Sequence, residues 1–161
     1  MLEAYSPSGS EARMADVVAS QMQSLGFRTE RDGVGNVIGE AGVEGPRILL
    51  AGHMDTVPGE LPVRIEGDTL YGRGAVDAKS SLAAMMFGSE LAAKRSSAPF
   101  HVTVAGVVSE EKSSDGIKAL IQRNSPFDLA VFGEPSGTCQ LIIGYKGSVK
   151  LQVKCLTSES K

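Results

Sequence analysis

The sequence predicts an α/β domain built on a mixed, largely parallel sheet flanked by helices. Three observations lead there. Nearly continuous apolar runs at Arg47–Ala51, Phe100–Val108 and Asp128–Phe132 have the pattern of strands covered on both faces. Segments with helical spacing separate them, at Ala78–Lys94 and Gly116–Arg123. Strands alternating with helices in this way belong to sheets that are at least partly parallel.

The elements follow in order. Ser8–Leu25 reads as a helix, with Met14, Val17, Val18, Met22 and Leu25 on one face. Ser8 or Ser10 is placed to cap it and Gly26 to end it. Short strands are expected at Phe27–Thr29 and Val34–Ile38, around the turn Arg31-Asp32-Gly33. Arg47–Ala51 follows Gly45-Pro46. Val63–Ile65 and Thr69–Tyr71 flank Glu66-Gly67-Asp68 and predict a hairpin. In the helix Ala78–Lys94, Leu82, Met85, Met86 and Ala93 share a side. Gln140–Gly144 and Ser148–Leu156 read as two closing strands. The last alternates Val149, Leu151, Val153 and Cys155 with Lys150, Gln152 and Lys154, so one of its faces should be wet.

Composition limits the function classes. The chain has 161 residues, enough for a real core, and a net charge of −3 from 16 basic and 19 acidic residues. No basic block marks a nucleic-acid footprint, and 5% aromatic content without Trp argues against a base-stacking platform. No apolar run reaches the ~18 residues of a membrane span, and the start has neither the basic nor the apolar region of a secretory signal. Cys139 and Cys155 lie on apolar, strand-like stretches without metal spacing and are expected to be reduced thiols. The expectation is a cytoplasmic enzyme or binding domain, with no nucleic-acid or membrane partner.

The chemistry gathers at strand ends. Arg47–Ala51 runs into Gly52-His53-Met54-Asp55, Phe100–Val108 into Ser109-Glu110-Glu111, and Asp128–Phe132 into Gly133-Glu134-Pro135. Ligands of open α/β sheets bind beyond the carboxyl ends of the strands. Parallel strands would therefore bring His53, Asp55, Glu110, Glu111 and Glu134 to one edge, joined by Asp77 at the start of the second helix. So many carboxylates repel unless cations neutralise them. One His with several carboxylates suits zinc, and manganese or cobalt would also fit. In His53-x-Asp55, one ring nitrogen can bind metal while a carboxylate holds the other. In Glu110-Glu111, one residue can bind metal while its neighbour acts as base on a metal-bound water.

Each motif alone has a bland reading: a solvated Glu-Glu loop, an accidental His-x-Asp, a Gly-Glu-Pro turn, an Asp capping a helix. Four such coincidences at three strand ends are harder to accept than one site. His101, at the start of a strand, reads as structural or exposed. Gly74–Ser80 bears a faint likeness to a phosphate loop, but Ala78 stands where the glycine before the lysine is needed, and Asp77 would repel phosphate.

These motifs carry a resemblance. Gly52–Pro58, Gly72–Lys79, Ser109-Glu110-Glu111 with Ser114 and Gly116, and Gly133–Ser136, in this order, resemble the dinuclear-zinc amidohydrolase and metallopeptidase family. That family includes desuccinylases, acetylornithine deacetylases, aminoacylases and glutamate carboxypeptidases. Tyr5–Glu11 and the short span from Asp55 to Asp77 look like the branch that frees lysine or ornithine from acetyl groups or from an amino-group carrier protein. Ser80-Ser81, where the branch often has Gly-Pro, departs from it.

The resemblance implies that His53 and Glu134 bind one zinc, Glu111 the other, and Asp77 both, with a cis peptide following Asp77. It implies Glu110 as general base and Asp55 as the support of His53. The substrate would be a small-molecule or carrier-linked amino-acid amide, in lysine or arginine biosynthesis. It also implies a catalytic domain over residues 1–144 and the first strand of an inserted lid, or dimerisation, domain over 145–161. A homodimer is implied only where that lid is complete. The family's late zinc-binding His and its lid His have no counterpart here, since the chain's two histidines are His53 and His101. The alternatives are a non-catalytic metal-binding remnant or subunit, and a dipeptidase or carboxypeptidase of the same family.

Overall fold

In a computed structural model, the residues described are 1–144, 146, 147, 149 and 151–155. The elements are α1 (Ala12–Ser24), β1 (Arg28–Arg31), β2 (Val37–Gly42), β3 (Arg47–His53), β4 (Arg64–Glu66), β5 (Thr69–Tyr71), α2 (Lys79–Arg95), β6 (His101–Val107), α3 (Asp115–Gln122) and β7 (Leu129–Phe132). Five strands form one sheet in the order β1-β2-β6-β3-β7. β3 runs parallel to β6 and to β7, while β2 is antiparallel to β6 and to β1. The sheet is thus mixed, with its three parallel strands adjacent. The expected hairpin forms a separate two-stranded sheet of β4 and β5.

α1 buries Met14, Ala15, Val18 and Met22 against the sheet. It stops where Gly26 takes φ +85°: Gly26 N–H donates to the Gln23 carbonyl and Phe27 N–H to the Met22 carbonyl. That pair of bonds satisfies the last turn, and glycine adopts the required left-handed conformation without a Cβ penalty. The start of α1 differs from expectation. The helix begins at Ala12, and neither Ser8 nor Ser10 caps it. Residues 6–8 run beside 54–56 instead: Thr56 N–H donates to the Ser6 carbonyl and Ser8 N–H to the Thr56 carbonyl. Tertiary pairing has taken the residues that local rules assign to a cap.

β2 begins at Val37, not Val34, because Asp32 organises the preceding turn. Its Oδ1 accepts from the amides of Val34, Gly35 and Asn36. β3 and β6 are the central strands. Gly52 and Gly106 are paired across them, and Leu82 of α2 packs on both positions. A Cβ at Gly106 would meet Met54 at 3.0 Å and Leu82 at 3.3 Å, so small residues here let α2 lie close to the sheet.

Three further expectations are corrected. β7 is an edge strand, with Leu129 and Phe132 half exposed, because among the described residues only β3 flanks it. No strand forms at Gln140–Gly144, which pairs with no strand among the described residues; Leu141, Ile142 and Ile143 are exposed. The strand expected over Ser148–Leu156 falls partly outside the described residues (148, 150 and 156), and its described members form no strand. Tyr145, at the expected entry to the lid, also lies outside them. Cys139 and Cys155 are free and exposed. Among the described residues, no helix is long and apolar enough to cross a membrane.

Candidate metal centre

The parallel strands β3, β6 and β7 end on the same edge, and their C-terminal residues carry the candidate ligands. His53 is the last residue of β3 and is 1% exposed. Its Nδ1 lies 2.8 Å from the Asp55 carbonyl, which fixes the proton on Nδ1 and turns Nε2 toward the site. Nε2 lies 3.0 Å from Asp77 Oδ1 and 4.0 Å from Glu134 Oε2. Glu134 follows β7. Asp77 reaches in from the loop after β5, where Gly72-Arg73-Gly74 leads to α2, and the Asp77–Ala78 peptide is cis. The N-cap of α2 is Ala78, so Asp77 is not the helix cap of the bland reading.

Ligand atoms of His53, Asp77 and Glu111 lie within 4.8 Å of one another, and so do those of His53, Glu110 and Glu134. Five of the six singled-out side chains thus fall into two candidate ligand groups that share the His53 imidazole. The sixth, Asp55, is fully buried and stands behind the His53 ring, on the Nδ1 side. The main-chain carbonyl of Asp55 is the close acceptor for Nδ1, with carboxylate Oδ1 farther away at 3.5 Å. The carboxylate accepts from Glu110 N–H at 3.0 Å, Glu111 N–H at 3.1 Å and Ser8 Oγ at 2.6 Å. Asp55 therefore ties the Glu110-Glu111 turn to the end of β3.

That turn is irregular. Ser109 and Ser114 bound it, both with φ near +57°. Asn36, fully buried, closes its two ends: its Oδ1 accepts from Val108 N–H and its Nδ2 donates to the Gly116 carbonyl. Asn36, Ser8 and Glu11 were not among the sequence-derived candidates. The Tyr5–Glu11 stretch carries the available signal, but local rules assign Ser8 or Ser10 to a helix cap. His101 lies at the opposite end of β6, 4.0 Å from Glu40, away from the site.

The electrostatics suit a cation. Burial pushes the carboxyls of Glu111 and Glu134 above the usual range, and the neighbouring carboxylates push the same way. Among the described residues, no Lys or Arg pairs with Asp77, Glu110, Glu111 or Glu134. Burial opposes a charge on His53, but its hydrogen bonds to Asp55 and Asp77 outweigh that and raise its pKa to about 10. A proton on Nε2 would be shared with the Asp77 carboxylate 3.0 Å away. One borderline-soft nitrogen with several hard oxygens, lacking a cationic side chain, is a donor set that fits a divalent metal.

A pH dependence follows. Metal must displace the proton from Nε2, so its apparent affinity should rise with pH, about tenfold per unit below pH ~10 as long as His53 alone limits binding. Calorimetric zinc titrations in buffers of different ionisation enthalpy should show about one proton released at pH 7. A proton count near zero would mean that His53 is not a ligand.

Beside the centre, a groove of about 510 Å³ is lined by Thr56, Tyr71, Arg73, Val76, Asp77 and Glu111, among others. It opens next to two of the candidate ligands, Asp77 and Glu111.

Comparison with known proteins agrees with this architecture. The model of peptidase family M20/M25/M40 matches residues 49–153. A Pyrococcus abyssi protein with the provisional name LysW-lysine/LysW-ornithine hydrolase is 47% identical over 152 residues, 94% of this chain and 43% of that protein. The LysW-lysine/LysW-ornithine hydrolase of Saccharolobus solfataricus is 36% identical, over 96% of this chain and 43% of its own. The LysW-lysine hydrolase of Deinococcus radiodurans is 38% identical, over 91% and 41%. The chain therefore spans less than half the length of these relatives. Among solved structures, an M20 family metallo-carboxypeptidase of Sulfolobus solfataricus superposes with a TM-score of 0.72 at 22% identity, over 82% of this chain and 35% of that one. At that identity the likeness supports the fold. The family match covers well over half of the sequence and includes all six residues of the centre, so the chain belongs to peptidase family M20/M25/M40.

Proposed function

We propose that this chain is the metal-binding N-terminal part of a zinc-dependent hydrolase that releases lysine or ornithine from a carrier protein, in lysine and arginine biosynthesis in the cytoplasm. The observation behind this reading is the meeting of one imidazole with four carboxylates, without a cationic partner, beyond three adjacent parallel strands. The carrier and the amino acids come from the relatives' names. Residues 1–144 form part of the catalytic domain in this proposal, and 145–161 enter a lid. Zinc is preferred over manganese or cobalt for the imidazole in the donor set.

In this proposal His53, Asp77 and Glu134 hold one zinc, and Asp77 and Glu111 contribute to a second. Bound zinc would polarise the amide carbonyl and lower the pKa of a bound water toward ~7. Glu110 takes the proton of the attacking water and returns it to the leaving amine, so one carboxylate serves as base and then acid. Asp55 holds the Glu110 and Glu111 amides. The groove past Tyr71 and Arg73 receives one side of the scissile amide.

The assay supplies the whole protein, of which this chain is a part, with zinc and LysW-linked lysine, LysW-linked ornithine or N-acetylornithine in separate reactions. Release from a carrier-linked substrate should be more than about tenfold faster than from N-acetylornithine, within reach of ordinary pocket discrimination. Faster cleavage of N-acetylornithine would refute the carrier reading, and no cleavage of any amide would favour a non-catalytic subunit.

A further inference from the structure

Glu11 is an acidic side chain buried to 6% exposure, at the end of an N-terminal stretch to which the mechanism above gives no task. It pairs with no Lys or Arg among the described residues. Its Oε1 accepts from Ser109 N–H at 3.0 Å and lies 3.2 Å from Ser109 Oγ, across 98 positions of sequence. Both its oxygens also lie 3.0 Å from Gly9 N–H. Ser109 is the residue at which the chain leaves β6 and enters the Glu110-Glu111 turn. It has φ +57°, a left-handed conformation that few non-glycine residues adopt without local support. Its carbonyl accepts from the amides of Ser113, at 3.2 Å, and Ser114, at 2.6 Å, so its orientation sets the course of the whole turn. Ser8, three residues before Glu11, donates to Asp55, which holds the next two amides. The three successive amides of Ser109, Glu110 and Glu111 thus all end on carboxylates braced from the N-terminal stretch.

We propose that Glu11 is a positioning residue: by fixing Ser109 in its left-handed conformation, it aims Glu110 and Glu111 at the metal centre. A carboxylate suits this task better than a hydroxyl or an amide. It accepts several N–H and O–H donors at once and donates none, and charge-assisted bonds are roughly twice as strong as neutral ones. Burial keeps water from competing for the same donors. The inference rests on the reading of Glu111 as a metal ligand, and the test below separates the two.

The test uses the chain itself and three variants: Glu11→Ala, Glu11→Gln, and Glu11→Ala combined with Ser109→Gly. Amide exchange is followed at residues 109–111 and, as a control, in α1, with zinc affinity and thermal unfolding measured in parallel. Glu11→Ala should speed exchange at 109–111 by more than about tenfold over the change in α1, and weaken zinc about 10- to 100-fold, as removal of outer partners of metal ligands does. Glycine at 109 adopts φ +57° freely, so the double variant should recover part of the zinc affinity. A side chain needed only for stability would not be rescued in this way. If Glu11→Ala folds poorly, Glu11→Gln keeps one acceptor oxygen and should show the same changes at smaller size. Variants that melt lower but keep wild-type exchange at 109–111 would overturn the proposal, as would lost zinc affinity that glycine does not restore. Faster exchange at 109–111 with unchanged zinc affinity would support the brace and count against Glu111 as a ligand.

Discussion

Glu110→Ala, introduced into the whole protein, is expected to lower any turnover of the proposed carrier-linked substrate about 100- to 10,000-fold, the range for loss of a general base, the role proposed for it. Its metal content should stay unchanged. The expectation separates two carboxylates that stand side by side. Both backbone amides are held by Asp55, and both side chains lie within 4.8 Å of a His53 nitrogen in candidate groups. What divides them is the company each keeps: Glu111 groups with Asp77, and Glu110 with Glu134. Turnover and zinc stoichiometry measured on the same preparation decide the matter. A Glu110→Ala protein that loses zinc in proportion to its activity would exchange the roles of the two glutamates.

Asp77→Ala should have the larger effect on metal itself. Asp77 is the carboxylate closest to His53 Nε2, and in the proposed arrangement it serves both zinc positions. Its loss should weaken zinc by more than the roughly 10- to 100-fold typical of an outer partner. Asp77 is half exposed and outside the core, so the fold should survive the substitution. Equilibrium dialysis with circular dichroism as a folding control checks both parts. Wild-type zinc affinity in Asp77→Ala would remove Asp77 from the centre.

Much of this centre was legible because it obeys local rules. A buried parallel strand must be apolar throughout, so a His or Glu just past its end stands out, as in Leu49–His53 and Val131–Glu134. The hairpin β4–β5 and the helix α2 were legible for the same reason, their patterns being short-range. Ser8, Glu11 and Asn36 were not. Their partners are 47, 98 and 72 to 80 positions away, and local rules read a serine before a helix as a cap. The exposure of β7 is hidden from its sequence for a related reason. Apolar content records what a strand can tolerate on its faces, whereas exposure also depends on whether it lies at the edge of the sheet. Gln140–Gly144 has the composition of a strand but no strand beside it among the described residues, and a strand exists only as part of a ladder. The support of His53 was anticipated in kind and differs in atom. The close bond is to the Asp55 carbonyl, which frees the carboxylate to hold the two glutamate amides.

In the proposed centre, His53, Asp77 and Glu134 form a zinc position with more ligands than the one Asp77 shares with Glu111. Calorimetric titration of the chain with zinc tests it most directly. One tight equivalent is expected at neutral pH, abolished by His53→Ala, with any second equivalent distinctly weaker. Two equally tight equivalents, or a tight equivalent that persists in His53→Ala, would contradict it.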